Sequence, residues 1–406
     1  LLARALGFVA SLLLSRTLGV ASLGLYSGIL ITTASPTSPM SAVLANNATM
    51  LAVRHRDTVP MWHLLRAHAV LLAGSFVAAA IGCGAMLSTG HLLASPLLDG
   101  SVLLWVAVGL VLGQLLTQLV TGVCHGADLS RQAAWVTGGV TLMALMLVYP
   151  VILVFGLAGV LVQAMLVALL PACLLGMMLW RQRQWLTVHS LRLGVLQSEA
   201  RTMFYQALPN MAATVLNNAT NWVSCIYLAE RFHGHAGLGL VAISLQWSAL
   251  MLLPVTSWGG RVMRTLTLAH ERGAHALRGE VLQQVQRCVG VTVLAVVPVL
   301  LAGRWVADWY KADVTMLWSM LTVNGAAALL AAVNLVYERA LFCLGEQKNW
   351  LRVSMLAYAA QMALTVCLIP STLLAVAWGN VVALGVVTVT VSVILLRKQR
   401  HAEVGE

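Results

Sequence analysis

Apolar residues in this chain recur in long uninterrupted windows. The windows fall at about 1–18, 22–52, 61–87, 101–124, 132–154, 156–180, 204–229, 237–262, 284–304, 314–343, 350–369 and 372–396. A helix needs about 20 apolar residues to cross a bilayer, so the pattern predicts about twelve membrane-spanning helices and an all-α polytopic protein. The second and tenth windows exceed that length, which predicts tilting, kinking or protrusion from the bilayer. The connections alternate in charge. All basic residues except Arg16, Arg231, Arg304 and Lys311 fall on one set of helix ends. Basic connections stay cytoplasmic, so both termini are expected there, as an even helix count also requires.

The chain repeats itself at half-length. Arg16-x-x-Gly19-x-Ala21-x-Leu23-Gly24-Leu25 returns as Arg231-x-x-Gly234-x-Ala236-x-Leu238-Gly239-Leu240. The register then carries Pro39 onto Pro254 and His55 onto His270. Leu and Ala matches are cheap in so apolar a chain, but matched Gly, Pro, Arg and His are not. Six helices separate the copies, so the halves share one orientation as parallel repeats. The expected organisation is a six-helix bundle over 1–180, an amphipathic cytoplasmic linker over 181–203, a second six-helix bundle over 204–396, and a cytoplasmic tail over 397–406.

Composition agrees: 60% of residues are hydrophobic, 9% are charged and the mean hydropathy is +0.87, against about 25% charge in soluble domains. The net charge of +11 does not point to nucleic acid, because the cations sit singly between apolar windows as topology signals. The seven cysteines are scattered without a CxxC pair or Cys/His cluster and are read as small apolar residues. His233 and His235 lack a third ligand, and no metal or cofactor is expected. No phosphate loop, nucleophile elbow or zinc-protease helix occurs, so no enzyme activity is expected. Asn47-Ala-Thr49 and Asn218-Ala-Thr220 match the glycosylation sequon inside spans. Their shared Asn-Asn-Ala-Thr string lies outside the repeat register and is read as coincidence. The chain opens at Leu1 within a hydrophobic stretch, which leads us to expect residues ahead of it.

Polar residues form stripes at helical spacing. Asn210, Thr214, Asn217 and Asn221 line one face of the seventh helix. Pro254, Ser257, Arg261 and Arg264 line one face of the eighth, and Arg4, Gly7, Ser11 and Ser15 one face of the first. Such stripes serve either a polar cavity between the halves, basic toward the cytoplasm, or interhelical hydrogen bonding and snorkelling arginines. Pro36 and Pro39, with Pro254 in the matching position, remove backbone bonds and mark hinges or static kinks. Glu338, beside Arg339 near the cytoplasmic end of the tenth helix, is a candidate for ion coupling or a local ion pair.

Arg4-Ala-Leu-Gly7-Phe8, followed by Ser15-Arg16-Thr-Leu-Gly19-Val-Ala-Ser-Leu-Gly24-Leu-Tyr26, resembles the opening of bacterial polysaccharide flippases. These are the O-antigen and exopolysaccharide translocases of the multidrug/oligosaccharidyl-lipid/polysaccharide exporter superfamily. Tyr337-Glu-Arg-Ala-Leu-Phe-Cys-Leu-Gly345-Glu-Gln-Lys348-Asn-Trp350 is similar to that family's tenth-to-eleventh helix connection. The resemblance implies a V-shaped flippase fold of two bundles with alternating access. The implied cargo is an undecaprenyl-diphosphate-linked oligosaccharide, moved from the cytoplasmic to the periplasmic leaflet of the inner membrane with ion or potential coupling. Polysaccharide polymerase and glycosyltransferases are implied partners. Arg4 matches a basic residue of the related lipid II flippases, and Arg261 and Arg264 lie in the helix that carries another. On the second helix their repeat positions are Asn46 and Thr49, with Arg54 and Arg56 beyond, so Arg54 is the first-half candidate. Asn210, Thr214, Asn217, Asn221, Ser11 and Ser257 would meet the sugar hydroxyls.

A multidrug or cation antiporter of the same superfamily is the alternative. Such transporters generally carry an intramembrane carboxylate in the first bundle, where this chain has none. A polysaccharide polymerase or acyltransferase would need large loops or acid/base groups that are lacking. A major-facilitator sugar transporter would need glycines around Arg54-His55-Arg56-Asp57.

Overall fold

The computed structural model describes residues 2–55, 61–89, 100–182 and 193–404. Arg56, Asp57 and 183–192 of the expected linker lie outside them, and so do the side chains of Arg4, Asn210 and Ser257. The described residues are helical throughout, without strand. The order is α1 Leu2–Leu18, α2 Val20–Arg54, α3 Met61–Ala67, α4 Ala69–Thr89, α5 Gly100–Gly126, α6 Ser130–Gln182, α7 Leu193–Trp222, α8 Ala229–Glu271, α9 Ala274–Leu301, α10 Gly303–Tyr310, α11 Val314–Cys343, α12 Gln347–Leu368 and α13 Leu374–Val404. Eight of these runs are long and apolar enough to cross a membrane. The run in α6 contains two spans joined at Gly156, whose φ of 58° and ψ of −144° break the helix. With α1, α2 and α7, the expected set of about twelve spans is present.

The predicted loop between the seventh and eighth helices is absent. One turn of π-helix, Val223–Leu228, follows α7, and the chain then turns at Gly234 alone. Gly19 separates α1 from α2 in the same way. The two glycines share one backbone conformation: φ 88°, ψ 165° at Gly19 and φ 66°, ψ −172° at Gly234. Only glycine adopts that region without strain. Repeat symmetry read from residue letters is therefore also symmetry of backbone torsion. The Gly19 turn leaves little backbone unpaired, since its N–H donates to the Ser15 carbonyl and its carbonyl accepts from Leu23, as a non-polar solvent demands.

Packing divides the chain into Leu1–Trp222 and Val223–Glu406. This boundary lies beyond the 181–203 connection because α7 is bonded along its length to α2. Trp222 Nε1 donates to Thr32 Oγ1 at 2.9 Å. Asn218 donates to the Ser35 carbonyl at 2.9 Å and to Ser38 Oγ at 2.7 Å. Asn47 donates to the Ala200 carbonyl at 3.4 Å, and His55 meets Glu199 at 3.0 Å. The two Asn-Asn-Ala-Thr strings thus act alike, since the second Asn of each reaches from its own helix to the other. Antiparallel pairing makes the two contacts reciprocal, which repeat register alone could not reveal.

In the first unit α2 is central. Close approach to α5 requires Gly122 and Gly126, where a Cβ would strike the Ala45 and Thr49 carbonyl oxygens; Thr49 donates to the Gly122 carbonyl at 3.0 Å across this seam. Small residues four apart are the usual means of bringing membrane helices together. In the second unit α8, α9, α11, α12 and α13 bury Val262, Leu266, Cys288, Ala332, Val336, Ala357 and Val391. Asn334 fixes α11 to α13, donating to the Leu384 carbonyl and accepting from Thr388 at 2.9 and 2.8 Å.

His68 sits fully buried between α3 and α4, just ahead of the membrane-crossing run Ala69–Ser88. Its Nδ1–H donates to the Leu64 carbonyl at 2.8 Å, while Nε2 is buried without a partner. Burial lowers its pKa below the usual 6.5, only partly opposed by the Leu64 bond. Unfolding then takes up a proton below about pH 6.5, so stability is full above that pH and declines as pH falls toward the depressed folded value. His68→Phe is expected to flatten this acid limb in detergent thermal unfolding followed from pH 8 to 5. Gly19→Ala and Gly234→Ala are each expected to cost about 1–3 kcal/mol of stability through backbone strain alone. Nothing lies near either Cβ position, and the effects of such separated sites should add, as the melting temperatures of the single and double variants would show.

Candidate functional site

Arg261 and Arg264 lie one turn apart on α8, both exposed, and among the described residues neither is paired with a carboxylate. Arg261 lines a cavity that Arg264 does not. That cavity, of about 350 Å³ between α8 and α9, is lined by Trp258, Arg261, Val262, Thr265, Gln284 and Arg287. The second cation at this site is therefore Arg287 of α9. In the sequence Arg287 reads as one of the topology arginines, although Glu280, Gln284 and Arg287 form a polar stripe at helical spacing. Gln284 is buried and donates to Glu280 Oε1 at 2.6 Å, which holds the acid beside the cavity without making it part of the lining. Two guanidinium groups in a lining without a carboxylate make a site suited to an anion with several oxygens.

A separate cavity of about 240 Å³ lies within the first unit among α1, α2, α5 and α6, with Tyr26, Gln114 and Gln163 as its main polar lining. Gln163 donates to the Ala144 carbonyl at 2.6 Å, but its Oε1 is buried without a partner. No carboxylate lines this cavity. Such neutral, partly unsatisfied groups suit hydroxyls or water.

The remaining predicted residues are dispersed. Arg54 is exposed in the last turn of α2. Ser11 is buried and bonded to the Phe8 carbonyl at 2.8 Å. On α7, Asn221 donates to Asn217 Oδ1 at 2.9 Å, and Thr214 is half-buried. Asn218 and Trp222, one position further on, are bonded to α2. Pro36 and Pro39 lie inside α2 and Pro254 inside α8, with Pro36 against Gly82 of α4. Glu338 approaches Arg339 only to 4.0 Å. Arg339 Nε is buried and unbonded, and its guanidinium lies 6.0 Å from the Phe342 ring centre. Among the described residues no cluster of His, Cys, Asp and Glu could hold a metal.

No protein-family model matches the chain, and no curated protein matches it. Solved structures do. An inward-facing multidrug resistance MATE family transporter of the MOP superfamily superposes with a TM-score of 0.78 at 14% identity, over 98% of this chain and 95% of the other. A MOP superfamily transporter from Pyrococcus furiosus, described as having a binding pocket of reverse polarity that suggests a different function, gives 0.66 at 15% identity over 97% and 92%. An outward-facing multidrug resistance MATE family transporter gives 0.68 at 15% over 100% and 94%. The chain therefore has the fold of these transporters across its whole length.

Proposed function

We propose that this chain carries an undecaprenyl-diphosphate-linked oligosaccharide from the cytoplasmic to the periplasmic leaflet of a bacterial inner membrane by alternating access. The observation that carries this reading is the pairing of Arg261 with Arg287 in a cavity without a carboxylate. A diphosphate cannot enter hydrocarbon unshielded, because burying an unpaired charge is prohibitive. Arginine offers bidentate, charge-assisted bonds to it. Arg264, Arg54 and Arg4 are proposed as further cations on the path of the headgroup. Asn210, Thr214, Asn217, Asn221, Ser11 and Ser257, with the neutral cavity around Gln163, would meet sugar hydroxyls. Pro36, Pro39 and Pro254 are proposed hinge positions. Both termini are read as cytoplasmic from the basic connections, and glycosyltransferases and a polymerase would supply and consume the cargo.

Multidrug or cation antiport is the second reading, favoured by the multidrug transporters that share the fold. Against it, no carboxylate lines the cavities of 350 or 240 Å³. The fold also includes a transporter described as having reversed pocket polarity. Both readings assign transport and no catalytic chemistry.

Reconstituted protein should translocate a polyprenyl-diphosphate glycan. Arg261→Ala and Arg287→Ala should each weaken it about tenfold or more, as loss of a charge-assisted bond predicts. The Arg261→Ala, Arg264→Ala double variant should insert normally yet fail to transport. Full glycan flux through that variant, or cationic-drug flux alone in the wild type, would remove the phosphate role. Glu338→Gln is expected to abolish a pH dependence of transport present in the wild type; identical pH series for both proteins would leave Glu338 without a coupling role.

A further inference from the structure

A cavity of about 620 Å³ belongs to neither site above. It is a groove in the first unit lined by Ala67, Val70 and Leu71 from α3 and α4, and by Gly194, Gln197, Ser198, Arg201, Phe204 and Tyr205 from α7. The α7 residues fall at helical spacing on one face. The adjacent face, Leu196, Ala200 and Met203, is buried against Leu51, Ala52, Leu64 and Ala67, so the groove wall is anchored by a packed core.

Its chemistry is divided. Val70, Leu71 and Phe204 offer apolar surface, and Val70 is 71% exposed. Arg201 is the only charge in the lining. Its Nε and Nη2 donate to Tyr205 Oη at 3.3 and 3.2 Å, and its guanidinium lies 5.5 Å from the Tyr205 ring centre. The cation is thus held in place, with Nη1 and the tyrosine proton still free to donate. Among the described residues, no partner meets the side-chain amide of Gln197, one turn earlier. The nearest acid along α7, Glu199, is committed to His55 at 3.0 Å. The groove therefore presents three donors and one uncompensated positive charge beside an apolar wall. It lies on the side of the bundle that carries Arg54, Arg66 and Arg181 at helix ends.

We propose that this groove binds an anionic phospholipid of the cytoplasmic leaflet. The phosphate is held by Arg201, Gln197 and Tyr205, and an acyl chain runs along Val70, Leu71 and Phe204. A headgroup carrying an amine would bring a second cation to a lining with no carboxylate to receive it, so the site selects phosphatidylglycerol over phosphatidylcholine. Bound lipid would bridge α4 and α7 at the end of α7 that is clamped to α2.

Native mass spectrometry of the full chain taken from nanodiscs of equal phosphatidylglycerol and phosphatidylcholine tests this. The wild type is expected to retain phosphatidylglycerol preferentially. Arg201→Ala should reduce that preference about fivefold, the worth of one arginine at an anionic surface. Val70→Trp, which fills the groove without changing charge, should reduce it as well. Arg131→Ala, at the start of α6, should not. Equal retention of the two lipids by the wild type, an Arg131→Ala effect matching that of Arg201→Ala, or full thermal stabilisation by inorganic phosphate alone would each overturn the proposal.

Discussion

Every backbone N–H and C=O within a bilayer must find its partner inside the protein, and the architecture of this chain follows from that demand. Helices satisfy it locally, so spans run on wherever a loop would strand polar groups in hydrocarbon. The chain changes direction by single residues: Gly19, Gly156 and Gly234 each adopt positive φ between helical runs. At Gly19 the neighbouring turns keep their hydrogen bonds. Where a soluble protein would insert several polar residues, this one uses one glycine whose torsions permit an abrupt turn.

The same constraint governs association. Lipid tails are as apolar as Leu or Val, so burying those side chains gives little preference for one neighbour over another. Close approach and polar contacts decide instead. Gly122 and Gly126 let α5 reach the α2 backbone. Asn218, Trp222 and Asn47 fasten α7 to α2, and Asn334 fastens α11 to α13. Polar residues in the spans fall into two kinds: those spent on a neighbouring helix, and those left facing a cavity. Arg261, Arg287 and the Gln163 carbonyl belong to the second kind, which is why they bear on function.

Charge is distributed with similar economy. Two acids lie near the cavities without lining them: Glu199 is bonded to His55, and Glu280 is held beside the 350 Å³ cavity by Gln284. The arginines beside them keep their charge available. The cavities of 350 and 240 Å³ have linings without a carboxylate, in a fold shared with multidrug transporters.

The amino-acid sequence alone determined the number and order of the spans, the half-length repeat, and the matched Gly19 and Gly234 turns. These follow from hydropathy and backbone torsion, which act locally. The sequence reading placed the starts of α7 and α9 about ten residues late and the end of α8 about nine residues early. The tertiary structure decided which helices face each other. It put Arg287 beside Arg261 and left Arg264 out of that cavity. It showed Asn218 and Trp222 bonded to α2, and it gave the two Asn-Asn-Ala-Thr strings a common role across an antiparallel pair. Helical periodicity shows which residues share a face, but in a chain of Leu, Val and Ala several faces are equally apolar. Only packing distinguishes the face that meets another helix from the one that meets lipid or an open cavity.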